Sequence, residues 1–252
     1  MDARNNEIDF LASVTHDLKS PLNAILCTID MLKMHIASEN LDRDAMLRNL
    51  SIAEMAGSDM LALVNNMLTT ARMHAGKETA DPALLGRAEL IERTRNMERT
   101  FHNEALGKNI DFSVTIGTLP EYVYWDIQKI RFFAVNNLIS NALKFLGHGG
   151  TVKVLIDSDA DNNVLISVMD DGPGIPVSER AGVFGKFVQA SNNARSFQGG
   201  GFGLFNAHQT IAMHHGSIEI LDGLNGKGVT FQIKLPAIPF EFDEITAIQM
   251  AA

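Results

Sequence analysis

The most constraining feature of this sequence is an apolar seam near its start. Apolar or seam-compatible side chains recur there in alternating steps of three and four residues. That spacing places them along one face of an α-helix, and such a face is stable only when it is buried against other helices. The seam consists of Ile8, Leu11, Thr15, Leu18, Leu22, Ile25, Ile29, Leu32 and Ile36. The sequence therefore predicts a long helix that packs in a helical bundle.

A second helix is expected after a polar break at residues 38–42, where Asp42 or one of its neighbours could cap its N-terminus. Two helices cannot cover two apolar faces by themselves, so the economical arrangement is a homodimer that forms a four-helix bundle. Packing of both helices against the rest of the same chain is the alternative. The apolar face of the second helix is broader and less regular than the seam, and it consists of Leu47, Leu50, Ala53, Leu61, Val64, Leu68 and Ala71.

The composition excludes several classes of protein. A net charge of −9 argues against non-specific nucleic-acid binding, which needs a basic surface. The single cysteine, Cys27, cannot form an internal disulfide, which suits a reducing compartment. No apolar run approaches the ~20 residues that span a bilayer. We expect a cytoplasmic protein, or the cytoplasmic part of a longer receptor, without a membrane segment in this chain.

After a polar linker at residues 77–82 the pattern changes to mixed helix and strand. Helices segregated over a largely antiparallel sheet would form an α+β sandwich. The chain thus divides into a helical hairpin domain, the linker, a sandwich domain and an acidic tail, at residues 1–76, 77–82, 83–238 and 239–252. In the sandwich domain, helices are expected near residues 89–106, 127–145 and 201–213, and strands near 110–116, 152–156, 164–169, 217–221 and 229–235.

His16 lies one residue past the seam residue Thr15, on the polar face of the first helix. A histidine that is held on a rigid helix and faces water is available for chemistry. A lone histidine in such a position is more often merely solvated than functional. The residues around His16 therefore determine which of these two interpretations the sequence favours. They form the run Phe10 to Leu22, which includes Thr15, His16, Asp17, Leu18, Lys19, Ser20 and Pro21.

Three further motifs have the residue types of a nucleotide site. On a predicted helix, Asn137, Asn141 and Lys144 share a face, because they are spaced by four and three residues. An amide oxygen suits Mg²⁺, and a lysine one turn away can meet a phosphate. This spacing is a weak pattern, and an ordinary polar helix surface would explain it equally well.

The second motif, at residues 168–176, ends a predicted strand and contains Asp170, Gly172, Gly174 and Ile175. Its glycines would let the backbone approach a ligand closely. The Asp170 carboxylate could accept a hydrogen bond from an exocyclic amine, which adenine has at its six position and guanine lacks. An Asp-Gly turn without a ligand is the alternative.

The third motif is a glycine-rich turn that opens a helix, at residues 198–205. Free N–H groups and the positive end of the helix dipole would face phosphate oxygens there. It is not a Walker loop, because no Gly-Lys-Ser/Thr follows. A flexible lid is the alternative, and it is compatible with nucleotide binding.

In this order and spacing, the motifs resemble those of the sensor histidine kinases. The His16 run resembles their phospho-acceptor box, and the three later motifs resemble the N, G1 and G2 boxes of their ATP-binding domain, a fold shared with gyrase-type ATPases. Residues 183–189 resemble the F box, residues 191–197 the ATP lid and residues 226–236 the closing hairpin. The resemblance covers the chain from Ile8 to Pro236.

The resemblance implies an autophosphorylating protein histidine kinase that uses ATP and Mg²⁺ and donates the phosphoryl group to the receiver domain of a response regulator. His16 would accept the phosphoryl group, Asp17 would take its ring proton, and Asn141 would bind the metal. The nucleotide would contact Asn137, Asn141, Lys144, Asp170, Gly172, Gly174, Ile175, Phe184, Phe187, Gly199, Gly201, Phe202, Gly203, Leu204 and Thr230.

The chain departs from the family pattern at several positions. Ser20 replaces a threonine or asparagine that positions water for dephosphorylation of the partner, which puts phosphatase activity in doubt. Leu146 replaces a threonine at the end of the N box. Asn137 stands where gyrase-type ATPases have a glutamate base, so the pocket should hold ATP without hydrolysing it. A non-catalytic ATP-binding scaffold, or a histidine phosphotransferase with vestigial kinase activity, is the alternative from another class.

Overall fold

The computed structural model describes residues 2–37, 42–74, 77–185, 188 and 202–239. These residues form two compact units, one up to residue 78 and the other from residue 79. The predicted acidic tail beyond Pro239 lies outside the described residues, as does the predicted lid at residues 191–197.

The first unit is a helical hairpin of α1 (Asp2–Ala37) and α2 (Arg43–His74), which pack against each other. Asp42 caps α2, since its Oδ1 accepts a hydrogen bond from the Ala45 N–H at 2.9 Å, as predicted. Pro21 lies inside α1. None of the described helices is long and apolar enough to cross a membrane.

Much of the apolar surface of this hairpin is left uncovered by the single chain. Thr28, Ala56 and Met73 are buried in it. Many larger apolar side chains are exposed, among them seam residues of α1 and residues of the corresponding face of α2: Leu22, Ile29, Ile36, Leu47, Leu50, Leu61 and Leu68. Such a surface is typical of a helix pair that packs against further helices.

The second unit is built on a five-stranded sheet, with helices packed against it as an α+β sandwich. Alternate side chains of the central strands point into the core, as the period-two patterns predict. In spatial order the strands are β2 (Asp111–Ile116), β4 (Thr151–Ser158), β5 (Asn163–Asp170), β7 (Val229–Pro236) and β6 (Ser217–Asp222). Only the β2–β4 pair is parallel, so the sheet is largely antiparallel, as expected.

The main helices of this unit are α3 (Arg87–Gly107), α5 (Asn136–Leu146) and α7 (Gly203–Met213). The fully buried Leu138, Ile139, Leu143 and Ile211 come from two of them and meet the apolar strand residues in one core. A short helix, α6 (Val177–Arg180), follows β5. The remaining strands, β1 (Ala83–Gly86) and β3 (Tyr122–Trp125), form a separate two-stranded sheet that the sequence patterns did not predict.

The predicted helix at residues 127–145 is not a regular α-helix along its whole length. It begins as α4 (Ile127–Lys129), continues as a π-helical turn (Ile130–Val135) and becomes regular again in α5. At the end of the π-helical turn the Asn136 N–H donates to the Arg131 carbonyl. One extra residue in the turn rotates everything after it by about 100° relative to the residues before it. The turn therefore sets the direction in which Asn137 and Asn141 face.

Candidate functional site

Asp170 is the last residue of β5, and its side chain is almost completely buried, at 5% exposure. The Oδ1 atom of Asp170 accepts hydrogen bonds from the Gly172 N–H at 2.9 Å and from the Val229 N–H at 3.3 Å. Val229 begins the neighbouring strand β7. The carboxylate is thus fixed between the loop that follows its own strand and the start of the next one, and both donors engage the same oxygen.

Burial raises the pKa of the Asp170 carboxyl above its ordinary value, although the two backbone donors act in the opposite direction. The neighbouring Asp171 carboxylate adds to the rise. The structure therefore holds an acidic group where its ionised form is disfavoured. A buried carboxylate with a perturbed pKa at the end of a strand is typical of a functional site.

Glycines bring the surrounding backbone close to Asp170. Gly228 has a φ of +73°, and a Cβ atom there would collide with the Asp170 carbonyl oxygen. Gly174 has a φ of +70°, and a Cβ atom there would lie 2.8 Å from the Gly228 carbonyl oxygen. Gly174 was predicted as a site residue, whereas Gly228 was not, because residues 226–236 were identified only by their resemblance to the closing hairpin. The sequence feature that could have identified Gly228 is the pair of glycines at residues 226 and 228.

Asn137 lies beside the N-terminus of α7. Its Nδ2 donates to the Phe133 carbonyl oxygen at 2.8 Å, within the π-helical turn. A Cβ atom at Gly203, the first residue of α7, would lie 3.6 Å from the Asn137 Cγ. The N and G2 motifs, predicted separately from the sequence, are therefore adjacent. Phe202 precedes this helix, and Leu204, in its first turn, packs against the core.

Asn141 and Lys144 follow Asn137 along α5 and are half-buried. The last residue of α5, Leu146, reaches the G1 loop, since its Cδ2 lies 3.5 Å from where a Cβ atom of Gly172 would be. The helix with the N motif and the loop with the G1 motif therefore meet. Ile175, at the end of that loop, packs against the core.

Phe184 of the F-box segment is half-buried, and its ring centroid lies 5.5 Å from that of His208 on α7 and 6.4 Å from that of Phe231 on β7. Thr230, also on β7, donates its hydroxyl to the Asp222 carbonyl oxygen at 2.9 Å. This bond joins β7 to β6 and gives the Thr230 hydroxyl a structural partner.

The remaining predicted site residues are described only in part. His16 and Asp17 belong to α1, but their side chains lie outside the described part of the structure. Ser20 is exposed on the same helix. Phe187, Gly199 and Gly201 lie outside the described residues.

The two parts of the chain match two protein-family models. Residues 7–76 match the His Kinase A (phospho-acceptor) domain, and residues 128–239 match the histidine kinase-, DNA gyrase B- and HSP90-like ATPase domain. The sensor histidine kinase TmoS of Ectopseudomonas mendocina is 30% identical over 234 residues, which are 92% of this chain and 23% of TmoS. The chain thus spans less than a quarter of the length of that relative.

Solved structures have the same fold. The catalytic domain of the histidine kinase ThkA is 26% identical with a TM-score of 0.54, and the match covers 64% of this chain and 99% of that domain. The structure of ThkA in complex with the response regulator TrrA is 20% identical with a TM-score of 0.56, and that match covers 91% of this chain and 61% of ThkA.

Replacing Gly228 by alanine should test how tightly the hairpin closes on Asp170. Gly228→Ala adds a collision with the Asp170 carbonyl to the strain of a positive φ, which by itself costs about 1–3 kcal/mol. Gly226→Ala is a matched control, because its φ is +75° and nothing lies within 4 Å of the added Cβ atom. Urea denaturation followed by circular dichroism should show a clearly larger loss of unfolding free energy for Gly228→Ala. Equal losses would contradict the close contact.

Proposed function

This chain belongs to the sensor histidine kinases, and on that premise we propose that it binds ATP, transfers the γ-phosphoryl group to His16 and donates it to an aspartate of a response regulator. The observation that carries the proposal is the buried carboxylate of Asp170, which the Gly172 and Val229 N–H groups hold at one oxygen.

Asp170 would recognise the adenine base of the nucleotide. Both backbone donors engage its Oδ1, so Oδ2 is the oxygen that a ligand can use. The six-amino group of adenine can donate to a carboxylate oxygen, whereas the six-oxo group of guanine cannot. A buried polar group without its partner costs about 1–3 kcal/mol, so the site should prefer adenine to guanine by at least about tenfold.

The phosphates would lie at the N-terminus of α7. The first N–H groups of a helix have no partner within the helix, and the helix dipole favours an anion there. Gly203, the first residue of α7, lies beside Asn137 at this end of the helix. Lys144, by its place on α5, would contribute a positive charge towards the phosphates.

Mg²⁺ fits the residues present. Amide oxygens are hard ligands of the kind that Mg²⁺ prefers, and the Asn137 Nδ2 is already bonded to Phe133, which leaves its oxygen for other partners. Asn141 would hold the ion, with Asn137 beside it. When bound, Mg²⁺ neutralises negative charge on the phosphates. No carboxylate stands at residue 137 to activate a water, which favours transfer to another nucleophile over hydrolysis.

That nucleophile is His16. One ring nitrogen would use its lone pair to form a P–N bond to the γ-phosphorus, while the P–O bond to the β-phosphate breaks and ADP leaves. The proton on the other ring nitrogen would pass to Asp17. Histidine, with an unperturbed pKa of about 6.5, is largely neutral near pH 7, so it needs little further activation. Positioning and electrostatics would therefore supply most of the rate enhancement.

The helical hairpin would act as a homodimer. The exposed seam residues of α1 and the exposed leucines of α2 are the surface that a second copy would cover in a four-helix bundle. The phosphoryl acceptor would be a response regulator, by analogy with the complex of ThkA and TrrA. A cytoplasmic location would give the chain access to both a second copy of itself and a response regulator.

Incubation with labelled Mg-ATP should place an acid-labile, alkali-stable phosphoryl group on His16. His16→Gln should abolish labelling and leave ATP affinity nearly unchanged, because His16 lies in the other unit from Asp170. His35→Gln, a histidine further along the same helix, is the control and should label like the parent. Labelling that survives His16→Gln would refute the acceptor, and ATP binding without any labelling would favour the scaffold alternative.

Asp170→Asn should stabilise the ligand-free protein and weaken ATP binding. The folded pKa of Asp170 is above its unfolded value, so the folded state binds more protons between these two values. Stability contributed by this group is therefore lost as the pH rises through the folded pKa, and at pH 7 the charge is destabilising. The amide removes that charge but presents a donor to the adenine amine.

Thermal unfolding at pH 7 and titration with ATP measure the two effects. We expect a higher melting temperature and about a tenfold or greater loss of ATP affinity, with the difference in stability shrinking at acidic pH. Asp171→Asn is the control for ATP affinity alone, because the Asp171 Oδ1 accepts the Thr151 N–H at 2.7 Å and so has a structural partner. Unchanged ATP affinity in Asp170→Asn would mean that Asp170 does not bind adenine.

A charge in the seam should break the dimer. Leu22→Glu would bury an unpaired carboxylate between helices, which is far more unfavourable than losing a surface contact. Leu106→Glu is the control, since Leu106 is also an exposed helical leucine but lies on α3. Sedimentation at micromolar concentration should show a dimeric parent, a dimeric Leu106→Glu and a dissociated or misfolded Leu22→Glu. A monomeric parent would remove the basis for the bundle.

A further inference from the structure

The linker between the two units is attached at both of its ends. The Lys77 N–H donates to the Arg72 carbonyl oxygen of α2 at 2.9 Å, and the Asp81 N–H donates to the Asp126 Oδ2 at 3.1 Å. Between these attachments lie only residues 78–80, and the boundary of the two compact units falls between Glu78 and Thr79. The second attachment is unusual, because a buried side chain far along the sequence holds the linker backbone.

Asp126 is well suited to hold a backbone N–H. It is only 7% exposed, and its Oδ1 caps the following helical turn by accepting the Lys129 N–H at 3.0 Å. Its Oδ2 accepts both the Asp81 N–H and the Lys129 Nζ, the latter also at 3.0 Å. Burial by itself would raise the pKa of Asp126, but the hydrogen bonds from Lys129 and Asp81 outweigh burial and lower it. The carboxylate is therefore ionised and fully oriented.

His214 fixes the backbone of Asp126 from the other side. The Asp126 N–H donates to the His214 Nε2 at 3.0 Å, and the His214 Nδ1 lies 2.7 Å from the Thr210 carbonyl oxygen. Only the neutral ring with its proton on Nδ1 satisfies both bonds. Burial lowers the pKa of His214 and so favours that neutral form. His214 follows α7, whose first residue is Gly203 at the candidate phosphate site.

We propose that Asp126, oriented by His214, is a positioning residue that clamps the linker at Asp81 and confines the hinge between the units to residues 78–80. This role rests on the proposed function, because autophosphorylation requires the ATP-binding unit to present its nucleotide to His16. A short hinge with fixed ends keeps the number of orientations small, and so keeps the local concentration of ATP at His16 high.

The structure also indicates how large the effect should be. If the clamp opens, the next fixed point is Ala83, which pairs with Trp125 between β1 and β3. The segment between backbone attachments then lengthens by two residues, from 78–80 to 78–82, and chain entropy alone lowers the local concentration about twofold. Loss of the fixed chain direction adds to this, so we expect the autophosphorylation rate to fall about two- to tenfold.

Amide exchange tests the clamp without reference to kinase activity. In the parent chain the Asp81 N–H should exchange with solvent more slowly than the amides of residues 79 and 80. Asp126→Ala and His214→Leu should each speed exchange at residue 81 while leaving the amides of the central strand β5 protected. Exchange at residue 81 that is as fast in the parent as in Asp126→Ala would overturn the clamp.

Autophosphorylation tests the positioning role. Asp81→Pro removes the donated N–H, and Asp81→Ala removes only the side chain and keeps the N–H. At saturating ATP, Asp81→Pro and Asp126→Ala should label His16 about two- to tenfold more slowly than the parent, with an unchanged KM for ATP. Asp81→Ala should label like the parent.

The failures are distinguishable. Equal labelling rates for Asp81→Pro and Asp81→Ala would overturn the positioning role. A fall in ATP affinity that parallels the fall in rate in Asp126→Ala would also overturn it, because Asp126 would then act on the nucleotide site. A parent chain that binds ATP and does not label would overturn the proposed function, and with it the positioning role. Exchange at residue 81 would still decide whether the clamp itself exists.

Discussion

A carboxylate that is 5% exposed at the end of a central strand needs hydrogen-bond donors from the fold around it, and Asp170 finds them in the amides of Gly172 and Val229. Supplying the second donor requires β7 to begin close to the end of β5. Only glycine at residue 228 permits that approach, since any side chain would collide with Asp170. The ends of two strands, the G1 loop and the closing hairpin are thus arranged around one acidic group.

In the same unit, one helix connects the candidate phosphate site to the residues that hold the linker. α7 begins at Gly203, beside Asn137, and His214 immediately after it accepts the Asp126 N–H. Eleven residues of α-helix extend about 16 Å. The π-helical turn that packs on α7 gives Asn137 its direction and provides the carbonyl that orients its amide. The helix α7 therefore keeps a fixed distance between its N-terminus, where the phosphates would lie, and His214, which orients the Asp126 that holds the linker.

Sequence patterns predicted what depends on local periodicity and on short motifs. The five strands of the main sheet followed from alternation, and the cap at Asp42 followed from its residue type at a helix start. The patterns could not predict β1 and β3, because four residues are too few to show a period. The π-helical turn was missed since its residues suit an ordinary helix equally well. The bond from Asp126 to His214 joins residues 88 positions apart, and no local signal encodes such a pair.

We propose that Asp170 is buried and yet ionisable because it binds the six-amino group of adenine. The most direct measurement is the pKa of Asp170, followed through the NMR signal of its carboxyl carbon with and without ATP. In the ligand-free protein the pKa should lie above the ordinary value of 3.8, because burial disfavours the charge. ATP should lower it, since a hydrogen bond from the amine favours the ionised form. A ligand-free pKa at or below 3.8, or the same pKa with and without ATP, would rule out this role of Asp170.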